Sequence, residues 1–465
     1  MQLLDFIVLF LYLIIVSYFS LWASGKQAST KSFFLAEKSI PWWMIMFSVV
    51  ATETSVLTFL SIPGIAYNSN FGFLQLALGY VIGRWLVAHY LLPLYFKEGL
   101  ESTYEFLRNR WGVTAQRTGS FVFQVTRILS DGVRLFMTAI PMTLITGWSY
   151  QLSIIVIVAF TLFYTILGGL KAVVWADSIQ FSIYIIGGFI TIWVLGIIID
   201  GGWISILRSA SNEEKLLIFQ GGNFLSYPYH FITAFFGGIF LSLASHGTDH
   251  LMVQRLLSAK SLNDSRKALI GSGVLALFQF GIFLMIGTGI WAFYEGETIN
   301  SNNVFSKFII DALPIGVKGL IVAAIFSAAM SSLSSSINAI ASSIMSDWIK
   351  LIKPNEYNLR NSRLISIICG IVISISALLF TSSDNPLVEI GLTISSFTYG
   401  GLLGFFVLGL LNIEFSSLSV ILGFISSIII MILIIVFTPI AWPWYTLIGL
   451  TLMIMVSTIV RLLKK

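Results

Sequence analysis

Thirteen times along this chain an apolar run of about twenty residues or more passes with almost none of the charges that punctuate a soluble helix. The runs fall at roughly 3–24, 40–66, 71–96, 115–147, 150–169, 173–200, 228–246, 265–294, 314–346, 362–381, 385–412, 416–438 and 441–461. About 20 helical residues cross a hydrocarbon core some 30 Å thick, so each run is long enough to span it. The chain is 57% hydrophobic and 10% charged, against about 25% charged in an ordinary soluble domain. A water-soluble fold of 465 residues cannot hide that much apolar surface, which excludes soluble enzymes and nucleic-acid binders. Lipid offers backbone groups no partners, and the runs are too continuous for barrel strands, so the spans are helices. The fold class is all-α, polytopic and membrane-embedded. The single cysteine, Cys369, lies inside a run and forms no disulfide within the chain.

The first run carries Asp5 where a signal peptide has basic residues and is too long for an h-region, so it reads as a retained span. Lys and Arg set the orientation. With the N-terminus outside, nineteen of the 26 fall in inside segments, among them Lys26, Lys97, Arg108, Arg110, Lys260, Lys350, Arg461, Lys464 and Lys465. Four fall outside (Arg208, Lys215, Lys307, Lys318), and Arg84, Arg127 and Arg134 lie within spans. Thirteen spans, N-terminus outside and C-terminus inside, are expected. The longest connections, near 201–227 and 295–313, leave no room for a soluble domain, and no Gly-x-x-x-x-Gly-Lys-Ser/Thr loop is present. The expected partners are membrane lipid and a small solute, with no nucleic acid and no obligatory protein.

Three features inside the spans point to chemistry. Span 2 has a polar patch, Thr52-Glu53-Thr54-Ser55, then Pro63-Gly64; span 7 has Phe235-Phe236-Gly237-Gly238 in its middle. Interruptions at matching places of two five-span blocks, 2–6 and 7–11, suggest a transporter built from inverted repeats. The Gly-Gly pair equally suits close helix packing. Span 9 carries a hydroxyl run, Ser331-Ser332-Leu333-Ser334-Ser335-Ser336, with Ala328, Ser331, Ser332 and Ser335 on one helical face. Small residues there favour close packing, but several oxygens on one face also suit a hard monovalent cation, with backbone carbonyls freed by an unwound span 2. Third, Glu53, Arg84, Arg127, Asp131, Arg134 and Asp177 lie at membrane depth, where charge is costly and is a functional candidate by default. Asp131 can pair with Arg127 or Arg134 on one face of span 4, a structural ion-pair cluster; the surplus arginine could meet Glu53 or a substrate carboxylate, and the second alternative gives a preference for an organic anion.

These segments resemble the sodium:solute symporters, the family of sodium–glucose, sodium–proline and sodium–sialic acid transporters. The likeness is carried by Phe33-Phe34-Leu35-Ala36 with Ile40-Pro41-Trp42-Trp43, by Tyr104-Glu105-Phe106-Leu107 with Arg110-Trp111-Gly112, and by Gly168 to Asp177. Asp249, Val253-Gln254-Arg255 and the span 9 hydroxyls extend it. The resemblance implies the leucine-transporter fold: an extra span and loop in 1–39, a first five-helix repeat in 40–200, an inverted second in 201–412, and two C-terminal spans in 413–465. It implies sodium-coupled symport by alternating access in the plasma membrane. Its core sodium site maps to the carbonyls of Ala51, Thr54 and Ala328 and the hydroxyls of Ser331 and Ser332. A second sodium site, found in some relatives, maps to Asp177, Ser331, Ser334 and Ser335. Substrate contacts map to Ser55 and Thr58 after the span 2 break, Phe73 and Gln75 in span 3, and Phe235 and Phe236 in span 7. Relatives that carry sialic acid hold its carboxylate with a span 4 arginine; Arg127 and Arg134 are the span 4 arginines here but do not align cleanly with it. Glu53, also expected to face substrate, departs from the sialic acid pattern, and the solute stays open. Two rivals stand beside this reading: a proton-coupled carrier titrating on Glu53 or Asp177, and a membrane enzyme using His246, Asp249 and His250.

Overall fold

The computed structural model describes residues 1–380, 387–411 and 413–463. Lys464, Lys465 and the ends of the expected span 385–412 lie outside them. The described residues are helical almost throughout. The long elements are α1 (Leu3–Ser24), α2 (Trp42–Glu53), α3 (Val56–Asn68), α4 (Phe73–Leu86), α5 (Val113–Thr146), α6 (Tyr150–Ile198), α7 (Phe231–Gly247), α8 (His250–Leu257), α9 (Leu262–Phe293), α10 (Val317–Ser343), α11 (Leu359–Ala377), α12 (Leu387–Leu410), α13 (Ser417–Phe437) and α14 (Tyr445–Leu463). Among the described residues, ten stretches are long and apolar enough to cross a membrane singly, and two more crossings arise if the bent pairs α2/α3 and α7/α8 each count as one. Side chains such as Ile14, Phe163, Trp193, Val436 and Phe437 are exposed around the outside, the arrangement expected of lipid-facing residues.

Two of the expected runs, 150–169 and 173–200, fall within α6, whose 49 residues would reach about 74 Å if straight. The helix instead breaks at Gly169, at φ 59° and ψ −155°. A Cβ there would also stand 2.4 Å from the Phe33 carbonyl oxygen, so only glycine serves.

The expected interruption of span 2 is present: α2 and α3 meet at 64° across Thr54 and Ser55. In span 7 the position differs from expectation. Helix α7 runs unbroken through Gly237-Gly238, and the chain bends by 61° later, at Thr248-Asp249, where Asp249 caps α8 by accepting from the Leu251 amide at 2.9 Å. The glycines instead let α7 lie against α4: a Cβ on Gly238 would meet the Leu76 carbonyl oxygen at 2.3 Å, and one on Gly79 the Phe235 carbonyl oxygen at 2.2 Å. Packing explains the pair, and the polar Thr-Asp step makes the break.

Helix α10 is the axis of the molecule. Every residue from Ile321 to Ser343 is buried, with α2, α5, α6 and α8 packed around it. Eight serines lie in that buried stretch, and all but Ser336 turn their hydroxyls to backbone carbonyls or to polar and charged side chains of neighbouring helices.

Candidate functional site

At the end of α2 the backbone hydrogen-bond ladder fails locally. The Thr54 amide still reaches the Val50 carbonyl at 2.8 Å, but the Ser55 amide turns to the Glu53 carbonyl at 3.0 Å and the Thr58 amide to the Ser55 carbonyl at 2.9 Å. In an uninterrupted helix those two amides would serve Ala51 and Thr54, whose carbonyls are thereby released. Ser55 restarts the helix as the cap of α3, accepting from the Leu57 amide at 3.2 Å. Beside the released carbonyls is a small void that Ala51, Thr54, Ala328 and Ser331 line together. The void is also lined by Gln180, Tyr184 and Ser327, and the released carbonyls beside it are oxygen ligands of the kind a hard monovalent cation takes. Ser332, expected with them, faces the neighbouring void with Ser55, Asp131 and Arg134. Its hydroxyl donates to the Ala328 carbonyl at 3.2 Å and the Thr52 carbonyl at 3.4 Å, tying α10 to α2.

Asp177 of α6 lies on the other side of Ser331. Its carboxylate accepts from Ser331 at 2.7 Å, Ser48 at 2.5 Å and Thr52 at 3.4 Å. Arg255 of α8 stands 3.6 Å away, and both side chains are 0% exposed. The same guanidinium donates to Ser335 and Ser48 and to the Leu251 carbonyl. Ser334 donates to the Ser331 carbonyl at 3.1 Å rather than to Asp177. Asp177, Ser331 and Ser335 are thus gathered as expected, with an arginine already among them.

A larger cavity of about 70 Å³ lies among α2, α3, α4, α5, α7, α8, α9 and α12. Of the residues expected to contact solute, Glu53, Thr58, Phe73, Arg127 and Arg134 line it. Gln75 does not: its amide donates to the carbonyls of Gly72 and Tyr229 and braces the loop before α7. Phe235 and Phe236 are likewise displaced from the cavity. Phe235 stacks on Phe231, and Phe236 is 45% exposed on the lipid side. With the break about three turns later than expected, the wall is formed by Leu241, Ser245 and His246.

The charges around this cavity are balanced. Glu53 pairs with Arg84, which also donates to Ser272 at 2.7 Å. Arg134 lies 3.3 Å from Asp131. Arg127 is 3.8 Å from Asp131, but its closer partner is Asp249, and the Tyr399 hydroxyl of α12 accepts from it at 2.7 Å. Asp249 therefore cancels the arginine surplus that spacing within span 4 suggested. The partners Asp249, Arg255 and Tyr399 escape sequence reasoning because each pairing joins residues 78 or more apart; the family-like stretch from Asp249 to Arg255 was the one available signal. The enzyme rival also loses its constellation. His250 lies between Thr103 and Ser342, Asp249 faces Arg127, and His246 faces Glu53.

Comparison with known proteins places these features. The family model described as sodium:solute symporter family matches residues 33–417. The sodium/sialic acid symporter NanT of Aliivibrio fischeri is 28% identical over 470 residues, covering 97% of this chain and 92% of that protein. The sodium/sialic acid symporter SiaT of Proteus mirabilis is 27% identical over 444 residues, 91% and 88% of the two chains. The human sodium/iodide cotransporter is 28% identical over 431 residues, 87% of this chain and 65% of its own. The solved structure of a Na⁺-coupled sialic acid symporter in a substrate-bound outward-open state superposes with a TM-score of 0.91 at 25% identity, covering 99% and 98% of the chains. A nucleobase-cation-symport-1 family transporter in a closed conformation shares the fold, at a TM-score of 0.60 and 13% identity over 91% and 92%.

Proposed function

This chain belongs to the sodium:solute symporter family, and from that premise we propose that it carries a small organic carboxylate, of the sialic acid kind, into the cell with sodium. It is a multi-pass protein of the plasma membrane, and sodium is its coupling ion. The observation that carries the reading is the release of the Ala51 and Thr54 carbonyls beside Ala328 and Ser331. Sodium entering that void would join α2 and α10 through oxygens of both. The carboxylate assignment draws on the sialic acid symporters among the relatives and on Arg134, which lines the cavity with its Nε unpartnered. The rival proton-coupled reading is weakened because an arginine already holds Glu53 and another holds Asp177.

We read the ten single helices and two bent pairs among the described residues, with a second crossing for α6 beyond Gly169, as thirteen crossings, with the N-terminus outside by the Lys and Arg distribution. The bent spans lie five crossings apart, as two inverted repeats over 40–200 and 201–412 require. Sodium and solute bind to the outward-facing form, and the repeats rock to release both inside. Sodium drives the cycle only through its differential affinity for the two forms.

One sodium crossing 100 mV yields about 2.3 kcal/mol, and a tenfold gradient adds about 1.4. A monovalent anion returns the electrical part, leaving about tenfold accumulation per sodium. A second sodium at Asp177, Ser331, Ser334 and Ser335 would restore it, and Arg255 must first leave Asp177 for that ion to enter. The test is uptake of N-acetylneuraminate into proteoliposomes under an inward sodium gradient, with thermal stability measured in sodium and potassium. Sodium-driven uptake and a sodium-specific stability rise, both lost in Ser331→Ala, are expected. Equal stability in the two ions would sink the core site; uptake following a pH gradient without sodium would sink the mechanism.

A further inference from the structure

His246 is 1% exposed, and its imidazole lines the cavity beside Glu53. Nδ1 lies 2.8 Å from the Ser245 hydroxyl, whose other acceptor, the Ser242 carbonyl, is 3.5 Å away. In the tautomer in which Nδ1 accepts from that hydroxyl, Nε2 carries the proton of the neutral ring. Arg84 already neutralises Glu53, and a second cation beside that one carboxylate would be buried without compensation. Among the described residues Nε2 has no hydrogen-bond partner. The nearest carboxylate oxygen, Oε2 of Glu53, stands 4.0 Å off, too far for a direct bond. A buried donor in that position favours any ligand that completes it.

An oxygen about 2.8 Å from both atoms would subtend roughly 90° between them. A hydroxyl suits that place, because it can accept from the imidazole N–H and donate to the carboxylate at once. A carbonyl cannot donate to Glu53, and a methylene can do neither. We propose that the gap between His246 and Glu53 is a hydroxyl-reading subsite. Resting on the carboxylate reading above, it narrows the solute to a hydroxylated acid whose carboxylate lies toward Arg134 and whose hydroxyl fills the gap. His246 is then a specificity-determining residue, distinct from the groups that hold sodium or the acid.

The test uses the full chain in sodium, with affinities for N-acetylneuraminate, gluconate and hexanoate read by titration. Gluconate and hexanoate share a six-carbon acid skeleton and differ in their hydroxyls. The wild type is expected to bind at least one hydroxylated acid about tenfold or more tighter than hexanoate. His246→Phe, which keeps an aromatic ring without the N–H, should erase that preference while leaving the sodium-specific stability rise in place. His246→Gln, which retains a donor, should keep part of the preference. A wild type that binds hexanoate as tightly as the hydroxylated acids overturns the subsite, and so does an undiminished preference in His246→Phe; both leave the carboxylate reading standing. Failure of every carboxylate to bind a wild type that sodium still stabilises overturns the carboxylate reading and this subsite with it.

Discussion

Replacing Arg255 with methionine tests how the buried charges near the hydroxyl run are compensated. Asp177 and Arg255 are 3.6 Å apart and both fully buried. At an effective dielectric of about 20, opposite charges at that distance attract by roughly 4–5 kcal/mol. Breaking a buried pair by removing one partner typically costs about 3–5 kcal/mol, which agrees. Arg255→Met should therefore lose about 3–5 kcal/mol in potassium, measured by denaturant unfolding in detergent. The stranded carboxylate keeps donors at Ser48 and Ser331 and gains room where the guanidinium stood. Sodium is expected to fill it, so the variant should recover more stability from sodium than the wild type does, with a steeper sodium dependence. Adding Asp177→Asn removes the uncompensated charge, and the double variant should regain most of the loss in potassium. If Arg255→Met is as stable as wild type in potassium, the pair contributes nothing. If the double variant is as damaged as the single, packing around the arginine and not its charge explains the cost.

Three further outcomes follow from the same packing. Glu53→Gln leaves the buried Arg84 without its counter-charge, though still donating to Ser272, so it should cost about 3–5 kcal/mol of stability, with much of the loss returned in Glu53→Gln/Arg84→Met; an additive pair of losses would refute the coupling. Gly238→Ala forces a Cβ onto the Leu76 carbonyl and should cost about 1–3 kcal/mol or more in thermal unfolding, whereas Gly221→Ala, with nothing within 4 Å, should be near neutral. Tyr399→Phe removes the hydroxyl shared by Arg127 and Asp249 and should cost about 1–3 kcal/mol; unchanged stability would show that the ion pair is satisfied without α12.

The class of this molecule was legible in the sequence because a bilayer imposes one requirement that a linear pattern can display: about twenty apolar residues with their backbone bonds closed internally. The polar patch Thr52 to Ser55 marked the break of span 2 for the same reason, since a local failure of the helix is written in local residues. So did the face carrying Ala328 and Ser331, because helical periodicity alone brings them to one side. Partnership between charges was not legible in this way. Asp177 with Arg255, Arg127 with Asp249 and Glu53 with Arg84 join different helices, and spacing within one helix favoured Asp131 as the sole counter-charge in span 4. The glycine pair of span 7 misled for a related reason: Gly238 is required by the approach of α4, far earlier in the chain, and Gly237 by that of Pro443, far later.

The membrane class, the first helix break and the chemistry available on each helical face therefore follow from the residues in order along the chain. Tertiary structure alone decided which carboxylate meets which arginine, where span 7 bends, and which side chains close the cavity. The physical reason is that apolar length and helical period are local properties, whereas compensation of a buried charge depends on which helix packs opposite it.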